Sequence, residues 1–188
     1  MKSLPWMVVA AWLGLISPSR AETVTVDFEG LAPELPGWSA TMKKDGGDNE
    51  YRTASKWDAP FTLALDPDKP HGGSSSLRWD FSAESPGMIS LMPAPVPVAG
   101  TDLTIRFFVR TDGVESEGMF SFTEASDDGK RLKSHWNAAK IPLASDWTEV
   151  VWQGKIDAAT PLVRMSFVFK SMPAGAKVWI DDLSVVSE

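Results

Sequence analysis

The most constraining feature of this sequence is a succession of short segments in which apolar and polar residues alternate. The clearest segment runs from Asp102 to Arg110, with apolar residues at every second position: Leu103, Ile105, Phe107 and Val109. A period of two indicates a β-strand with one buried face. Loop signals recur at intervals of about 8–15 residues, and no long helical pattern interrupts them. The sequence therefore predicts an all-β jelly roll, a β-sandwich of two antiparallel sheets.

About nine or ten strands are predicted in this way. Besides 102–110 and the closing strand, they are Glu22–Glu29, a short strand ending at Leu65, Leu77–Phe81, a brief edge strand at Met88–Met92, Gly118–Thr123, its hairpin partner Arg131–Ala138, Trp147–Gln153 and Leu162–Lys170. Gly30–Gly37 is predicted to be a loop, and the stretch Trp38–Glu50 is polar, with a turn predicted at Asp45–Asp48 and no strand. Trp38, Trp79, Trp147 and Trp152 are predicted to lie in the core.

The closing strand, Lys177–Val186, carries two acids among its β-favouring residues. The apolar alternation breaks between Ile180 and Leu183, which predicts a β-bulge at Asp181 and Asp182. Burying carboxylates in a strand is costly unless something compensates their charge. Backbone hydrogen bonds, a basic partner such as Arg78 or Lys177, or a bound cation would each compensate it.

The N-terminal residues 1–21 are predicted to be a cleaved secretory signal peptide. They combine an early Lys2, an apolar run from Trp6 to Ile16, and small residues around Arg20 that suit signal peptidase. A retained N-terminal anchor is the alternative. With the signal removed, residues 22–188 form one domain, and we expect a secreted or periplasmic protein with no membrane insertion.

The charge and the absence of cysteine exclude several classes of protein. The formal net charge of the chain is −7, which disfavours nucleic acid and anionic membranes as partners. The chain has no cysteine, so disulfides contribute nothing to stability after export. Seven of the nine tryptophans lie after the predicted signal peptide, and they fit either a packed core or a surface that stacks on sugar rings.

The sequence contains no convincing catalytic motif. Its two histidines, His71 and His135, lack metal-ligand spacing, and there is no nucleophile elbow or phosphate-binding glycine loop. A glycosidase needs two carboxylates across a cleft, and the sequence alone leaves open a pair such as Glu124 with Glu149. Tyr51, the single tyrosine, would be the base of a lyase.

Five landmarks in a fixed order resemble the galactose-binding-like jelly roll of carbohydrate-binding modules of families 4, 9 and 22. They are Asp27–Gly30 followed by Trp38, Gly73–Trp79, Thr101–Asp112, Asp146–Val151 and Val178–Val185. Together they span nearly all of the chain after the predicted signal. The resemblance implies a sandwich fold and a non-catalytic domain that binds polysaccharide or oligosaccharide.

The resemblance also implies a structural calcium ion that joins the first strand, the glycine–serine loop and the closing strand. Its carboxylate ligands would be Glu29 and Asp181, with backbone carbonyls around Gly73 and Ser74. Such an oxygen-rich set is what calcium prefers. Backbone hydrogen bonds to the carboxylates remain the alternative.

Candidate sugar-binding residues come from aromatic and planar polar side chains. Arg106 and Phe108 lie on the non-core face of 102–110, which is either a binding surface or a face covered by a second sheet or a loop. His135 and Trp136 combine an aromatic ring with hydrogen-bonding groups, although Trp136 could also belong to the core. Trp57 and Tyr51 flank a polar loop and are further candidates.

The sequence thus favours a secreted, non-catalytic carbohydrate-binding protein that holds a neutral or weakly charged glycan by aromatic stacking. The alternative is an envelope structural or adhesion protein that uses the same fold for protein contacts. A small polysaccharide lyase or hydrolase is the third hypothesis. The sequence does not indicate an oligomeric state.

Overall fold

The computed structural model describes residues 22–26, 28–29, 35, 37–43, 49–53, 61–85, 87–115 and 117–188, with the backbone alone for 42–43 and 49–53. The predicted signal peptide, residues 1–21, and Trp57 lie outside the described residues. Thirteen strands occur in the described chain: β1 (Glu22–Val26), β2 (Ser39–Lys43), β3 (Asn49–Thr53), β4 (Phe61–Asp66), β5 (Ser76–Phe81), β6 (Ile89–Met92), β7 (Val96–Pro97), β8 (Asp102–Asp112), β9 (Gly118–Ala125), β10 (Arg131–Ile141), β11 (Thr148–Lys155), β12 (Leu162–Phe169) and β13 (Lys177–Ser187).

The strands form two antiparallel sheets, which confirms the predicted β-sandwich. Sheet A has the order β11-β8-β13-β5-β4, and β1 also pairs with β13. Sheet B has the order β10-β9-β12-β6-β2-β3, and β7 also pairs with β12. In the part of the chain that the structure describes, no helix is long and apolar enough to span a membrane.

The core between the sheets is built from the apolar alternation of the strands. The predicted inner face of β8, Leu103, Ile105, Phe107 and Val109, is buried. Phe107 packs edge-on against Phe167 of β12, with ring centroids 4.9 Å apart, so the two sheets meet through aromatic rings. Trp38 and Trp79 are buried as predicted, and Trp152 is partly buried against the core.

The predicted bulge in the closing strand is confirmed. The pairing of β13 with β8 shifts between Asp181 and Ser184, and Asp182 has a φ of 48°. Ile180 and Leu183 therefore both face the core although they are three residues apart. This placement leaves Asp181 on the outer side of sheet A, opposite Phe108 in the register.

One pair of strands was missed, and two local predictions were wrong. β2 and the start of β3 lie within 38–50, where no strand was predicted, and the two strands pair with each other. The predicted turn at 45–48 lies outside the described residues. Strand β6 is not an edge strand, because it lies between β12 and β2 in sheet B. Trp147 does not belong to the core cluster; it is half-buried, and its ring meets that of His71 edge-on at 5.7 Å.

Candidate functional site

Small hydroxyl residues line the outer face of sheet B on its four neighbouring strands β10, β9, β12 and β6. They alternate along the strands with Phe120, Phe122 and Phe167, whose rings are buried in the core. Because successive side chains of a strand point to opposite faces, the hydroxyl residues face outward. The register pairs Ser166 with Ser121 and pairs Thr123 with Ser134. The strand order therefore collects hydroxyl groups from distant parts of the sequence into one patch.

Two adjoining depressions make this patch a shallow groove. One has a volume of about 340 Å³ and the other about 180 Å³, and Thr123, Arg131 and Ser166 line both. We call their combined surface the hydroxyl groove. Its further lining residues are Gly37, Ser39, Ser90, Met92, Pro93, Pro95, Ser121, Phe122, Ser134, His135, Trp136, Arg164, Met165 and Val168. No carboxylate belongs to this described lining.

Trp136 lies at one end of the hydroxyl groove, and its side chain is the most exposed large apolar group of the described residues, at 60 %. An irregularity in β10 presents it there: the pairing with β9 shifts between His135 and Ala139, and Asn137 has a φ of 52°. The Asn137 amide donates to Ser121 Oγ at 3.0 Å and fixes this irregularity against β9. The exposure excludes the alternative in which Trp136 belongs to the core.

His135 lines the groove, but its ring is held by groups beneath the surface. The imidazole stacks on Phe122 with ring centroids 4.1 Å apart, and its Nε2 lies 2.6 Å from Glu124 Oε1. The other oxygen of Glu124 accepts hydrogen bonds from the Asp157 amide at 2.9 Å and from Thr160 Oγ1 at 2.7 Å. His135 is therefore placed to position β10 and can offer a bound ligand only part of its ring.

Glu124 is fully buried. Burial alone would raise the pKa of its carboxyl group, but the hydrogen bonds from His135, Asp157 and Thr160 outweigh burial and lower that pKa. Glu149 lies instead on the outer face of sheet A, 3.2 Å from Arg106 Nε. The two acids thus face different parts of the molecule and do not flank a common cleft.

Arg106 and Phe108 lie on the outer face of sheet A, on the side of the sandwich opposite the hydroxyl groove. The ring of His71 stacks on Phe108 with centroids 3.6 Å apart and an interplanar angle of 14°. Phe108 therefore lies beneath the 67–75 loop, as in the second alternative for this face. The structure does not bring these two residues together with Trp136 and His135.

The remaining aromatic candidates fall mostly outside the described residues. Trp57 lies outside the described residues, and Tyr51 in β3 is described only by its backbone. The register pairs Tyr51 with Thr41 of β2, and Thr41 pairs with Ser90, which lines the hydroxyl groove. Ser39 of β2 also lines the groove, so position 51 lies on the neighbouring strand of the same sheet.

The predicted calcium ligands converge on the loop that follows β4. Glu29 Oε1 accepts hydrogen bonds from the Ser74 amide at 2.6 Å and the Ser75 amide at 2.9 Å, and Oε2 accepts one from Ser74 Oγ. Asp181 Oδ2 accepts from the His71 amide at 2.7 Å and the Gly72 amide at 3.3 Å. One short loop therefore connects the region after β1 with the closing strand.

The charges of these two carboxylates are compensated to different degrees. The hydrogen bonds from Ser74 and Ser75 lower the pKa of Glu29, whereas burial raises the pKa of Asp181 despite its amide donors. A Cβ atom at Gly73 would lie 2.3 Å from Glu29 Oε1, so the loop is shaped around that carboxylate. Asp182 adds a third acid beside the same loop, with its Oδ2 2.7 Å from His71 Nδ1.

The three carboxylates supply the negative charge and the oxygen atoms that a cation needs. In this structure, however, backbone N–H groups of the loop donate hydrogen bonds to Glu29 and Asp181. An ion would have to displace those donors. Among the described residues, no set of three or more His, Cys, Asp or Glu side chains is arranged around a metal position. The calcium site therefore stays a prediction.

The groove residues other than Trp136 and His135 were not predicted as site residues. The sequence does show a polar side of β12, in which Arg164 and Ser166 alternate with Met165 and Phe167. It does not show that this side lies next to Ser121, Thr123 and Ser134, because local sequence patterns do not determine the order of strands in a sheet.

Comparisons with known proteins support the fold. No protein-family model and no curated protein matches the sequence. Among solved structures, the chain is similar to a family 22 xylan-binding domain from Paenibacillus barcinonensis, with 12 % identity, a TM-score of 0.56, and coverage of 90 % of this chain and 96 % of that one.

It is also similar to a family 61 carbohydrate-binding module in complex with β-1,4-galactotriose, with 15 % identity, a TM-score of 0.55, and coverage of 86 % and 94 %. A third likeness is to the enzymatically active domain of tailspike protein 4 of bacteriophage CBA120, with 12 % identity and a TM-score of 0.59. There the match covers 81 % of this chain but 20 % of that one. The protein thus has the jelly-roll fold of carbohydrate-binding modules.

Proposed function

We propose that this protein binds glycan chains in the hydroxyl groove. The observation that carries the proposal is the exposed indole of Trp136 beside a row of serine and threonine hydroxyls on a single sheet face. The apolar face of a sugar ring would stack on the indole, and the hydroxyls would exchange hydrogen bonds with those of the sugar. A ring and a few such bonds, in competition with water, give affinities of roughly micromolar to millimolar.

The fold neighbours support this choice of ligand. One is named as a xylan-binding domain and another was solved with β-1,4-galactotriose. We infer that the present chain acts in the same general way, as a secreted or periplasmic glycan-binding domain without catalysis of its own.

Isothermal titration with soluble xylan and galactan oligosaccharides, after a glycan array, tests the proposal. We expect binding that Trp136→Ala weakens at least about tenfold, because the stacking surface is lost. The matched control is Val151→Ala, which truncates an exposed apolar side chain on sheet A, away from the groove. Retention of no glycan by the wild-type protein, or equal losses in both variants, would refute the proposal.

We further propose that a calcium ion binds where Glu29 and Asp181 meet the 67–75 loop. One support is the buried carboxylate of Asp181, because burial raises its pKa. The other is the presence of two further acids, Glu29 and Asp182, at the same loop. The ion would supply positive charge and link the loop to the closing strand, and Glu29 and Asp181 would hold it.

A further inference from the structure

Two arginines line the hydroxyl groove, and neither has a carboxylate partner among the described residues. Arg131 at the start of β10 and Arg164 on β12 are both exposed, and both line the larger depression. The ion pairs among the described residues involve other basic groups: His71, Arg78, Arg106, Lys133, His135, Lys140 and Lys155. Arg164 Nη1 donates to the Gly129 carbonyl at 3.3 Å, which leaves most of its guanidinium donors free.

This local charge contrasts with the rest of the chain. The whole sequence has 25 acidic and 18 basic residues, yet the stretch 129–145, which contains β10, has four lysines and arginines and no acid. A negatively charged protein repels polyanions in general. Two arginines that have no carboxylate partner within the described part of the chain, in a described lining without carboxylates, therefore favour local recognition of negative charge.

We infer that the hydroxyl groove selects glycans that carry anionic groups, either uronate carboxylates or sulfate esters. The inference rests on the proposed function and names its substrate class. Guanidinium groups bind such planar or tetrahedral anions through paired, charge-assisted hydrogen bonds. Arg131 and Trp136 are five positions apart on β10, about 16 Å at the usual strand rise, so a short oligosaccharide could contact both.

The groove offers two kinds of contact to a glycan. Trp136 provides a stacking surface that does not depend on ligand charge. Arg131 and Arg164 hold the anionic substituents, while Thr123 and Ser166, which line both depressions, contact the hydroxyls between them. Loss of the arginines should therefore remove charge selectivity, and loss of Trp136 should weaken neutral and anionic ligands alike.

Paired polymers with the same sugar backbone, one anionic and one neutral, test the inference. Polygalacturonate is compared with its fully methyl-esterified form, and dextran sulfate with dextran, by titration into the purified protein at low and moderate salt. We expect the anionic member of at least one pair to bind roughly tenfold or more tightly than its neutral partner. The advantage should shrink as salt rises. The first pair reports carboxylate recognition and the second sulfate recognition.

Arg131→Gln and Arg164→Gln should each reduce the advantage of the anionic polymer over its neutral partner. The charge-matched control is Arg106→Gln, which removes one arginine from the opposite face of the sandwich. Circular dichroism and melting curves of each variant verify that it is folded.

The outcomes separate this inference from the proposed function. Equal affinity within both pairs, combined with Trp136-dependent binding of neutral glycans, would overturn the inference and keep the proposed function. An anionic advantage that Arg106→Gln removes as fully as the groove variants would also overturn it, since nonspecific attraction would then explain the binding. The absence of binding to any neutral or anionic glycan would overturn both.

Discussion

Glu124 shows how a single buried acid can make stability depend on pH. Its carboxylate accepts hydrogen bonds from His135, Asp157 and Thr160, and these lower its pKa from the ordinary 4.5 although burial opposes them. A lowered pKa means that the unfolded chain takes up the proton more readily than the folded one. The Glu124 carboxylate therefore contributes its full stabilisation of the folded state above pH 4.5, and this contribution is lost as the pH falls through the lowered pKa.

The prediction for this residue is that Glu124→Gln destabilises the protein at neutral pH by about 1–3 kcal/mol, and that the difference narrows in acid. Urea unfolding at neutral pH and at about pH 3.5 measures both quantities. Glu149→Gln is the control, because Glu149 is exposed and its pair with Arg106 contributes little. A gap between wild type and Glu124→Gln that stays constant with pH would contradict the assignment.

At the scale of elements, the 67–75 loop is the connection that fixes the outer face of sheet A. Its backbone N–H groups donate hydrogen bonds to Glu29 and Asp181, and the ring of His71 stacks on Phe108. Gly73 makes this path possible, since its φ is +57° and its hydrogen faces the Glu29 carboxylate where a Cβ would clash.

Gly73→Ala should accordingly lower the melting temperature more than Gly175→Ala. Both glycines have positive φ, which costs an alanine about 1–2 kcal/mol, but a Cβ at Gly175 meets nothing within 4 Å. The difference between the two variants isolates the contact with Glu29. Equal melting temperatures would show that Glu29 does not hold the loop.

Element-level prediction from the sequence succeeded where one face of a strand is fully apolar. β8 shows four buried apolar residues at alternate positions, and the bulge in β13 follows from the break between Ile180 and Leu183. The β2–β3 hairpin was missed because β2 offers only Ala40 and Met42 as an apolar side among polar residues. β6 was placed at an edge because its length of four residues indicates nothing about its neighbours.

At the scale of the whole molecule, the site depends on strand order. Trp136 could be proposed from its type and its polar neighbours alone. Ser121, Thr123, Ser134 and Ser166 could not, because they become a site only when β10, β9 and β12 lie side by side. The same limit applies to Arg106 and Phe108, because the sequence predicted their strand face but left open whether that face binds a ligand or is covered.

The calcium proposal also belongs to this scale, because the ion would join the region after β1 to the closing strand. Chelation with EDTA should lower the melting temperature of wild-type protein by several degrees, and added calcium should restore it. Glu29→Gln should be insensitive to both treatments. An unchanged wild-type melting temperature would show that hydrogen bonds alone hold the loop.

The most direct test of the central claim is an amide chemical-shift titration of the isotopically labelled protein. Xylo-oligosaccharide, galacto-oligosaccharide and oligogalacturonate are added in turn. The binding ligand should shift amides on the outer face of sheet B, at Ser90, Thr123, Ser134, Trp136 and Ser166, and leave Arg106 and Phe108 unshifted. Shifts centred on Arg106 and Phe108 of sheet A, or no shifts with any of the three ligands, would contradict a glycan site in the hydroxyl groove.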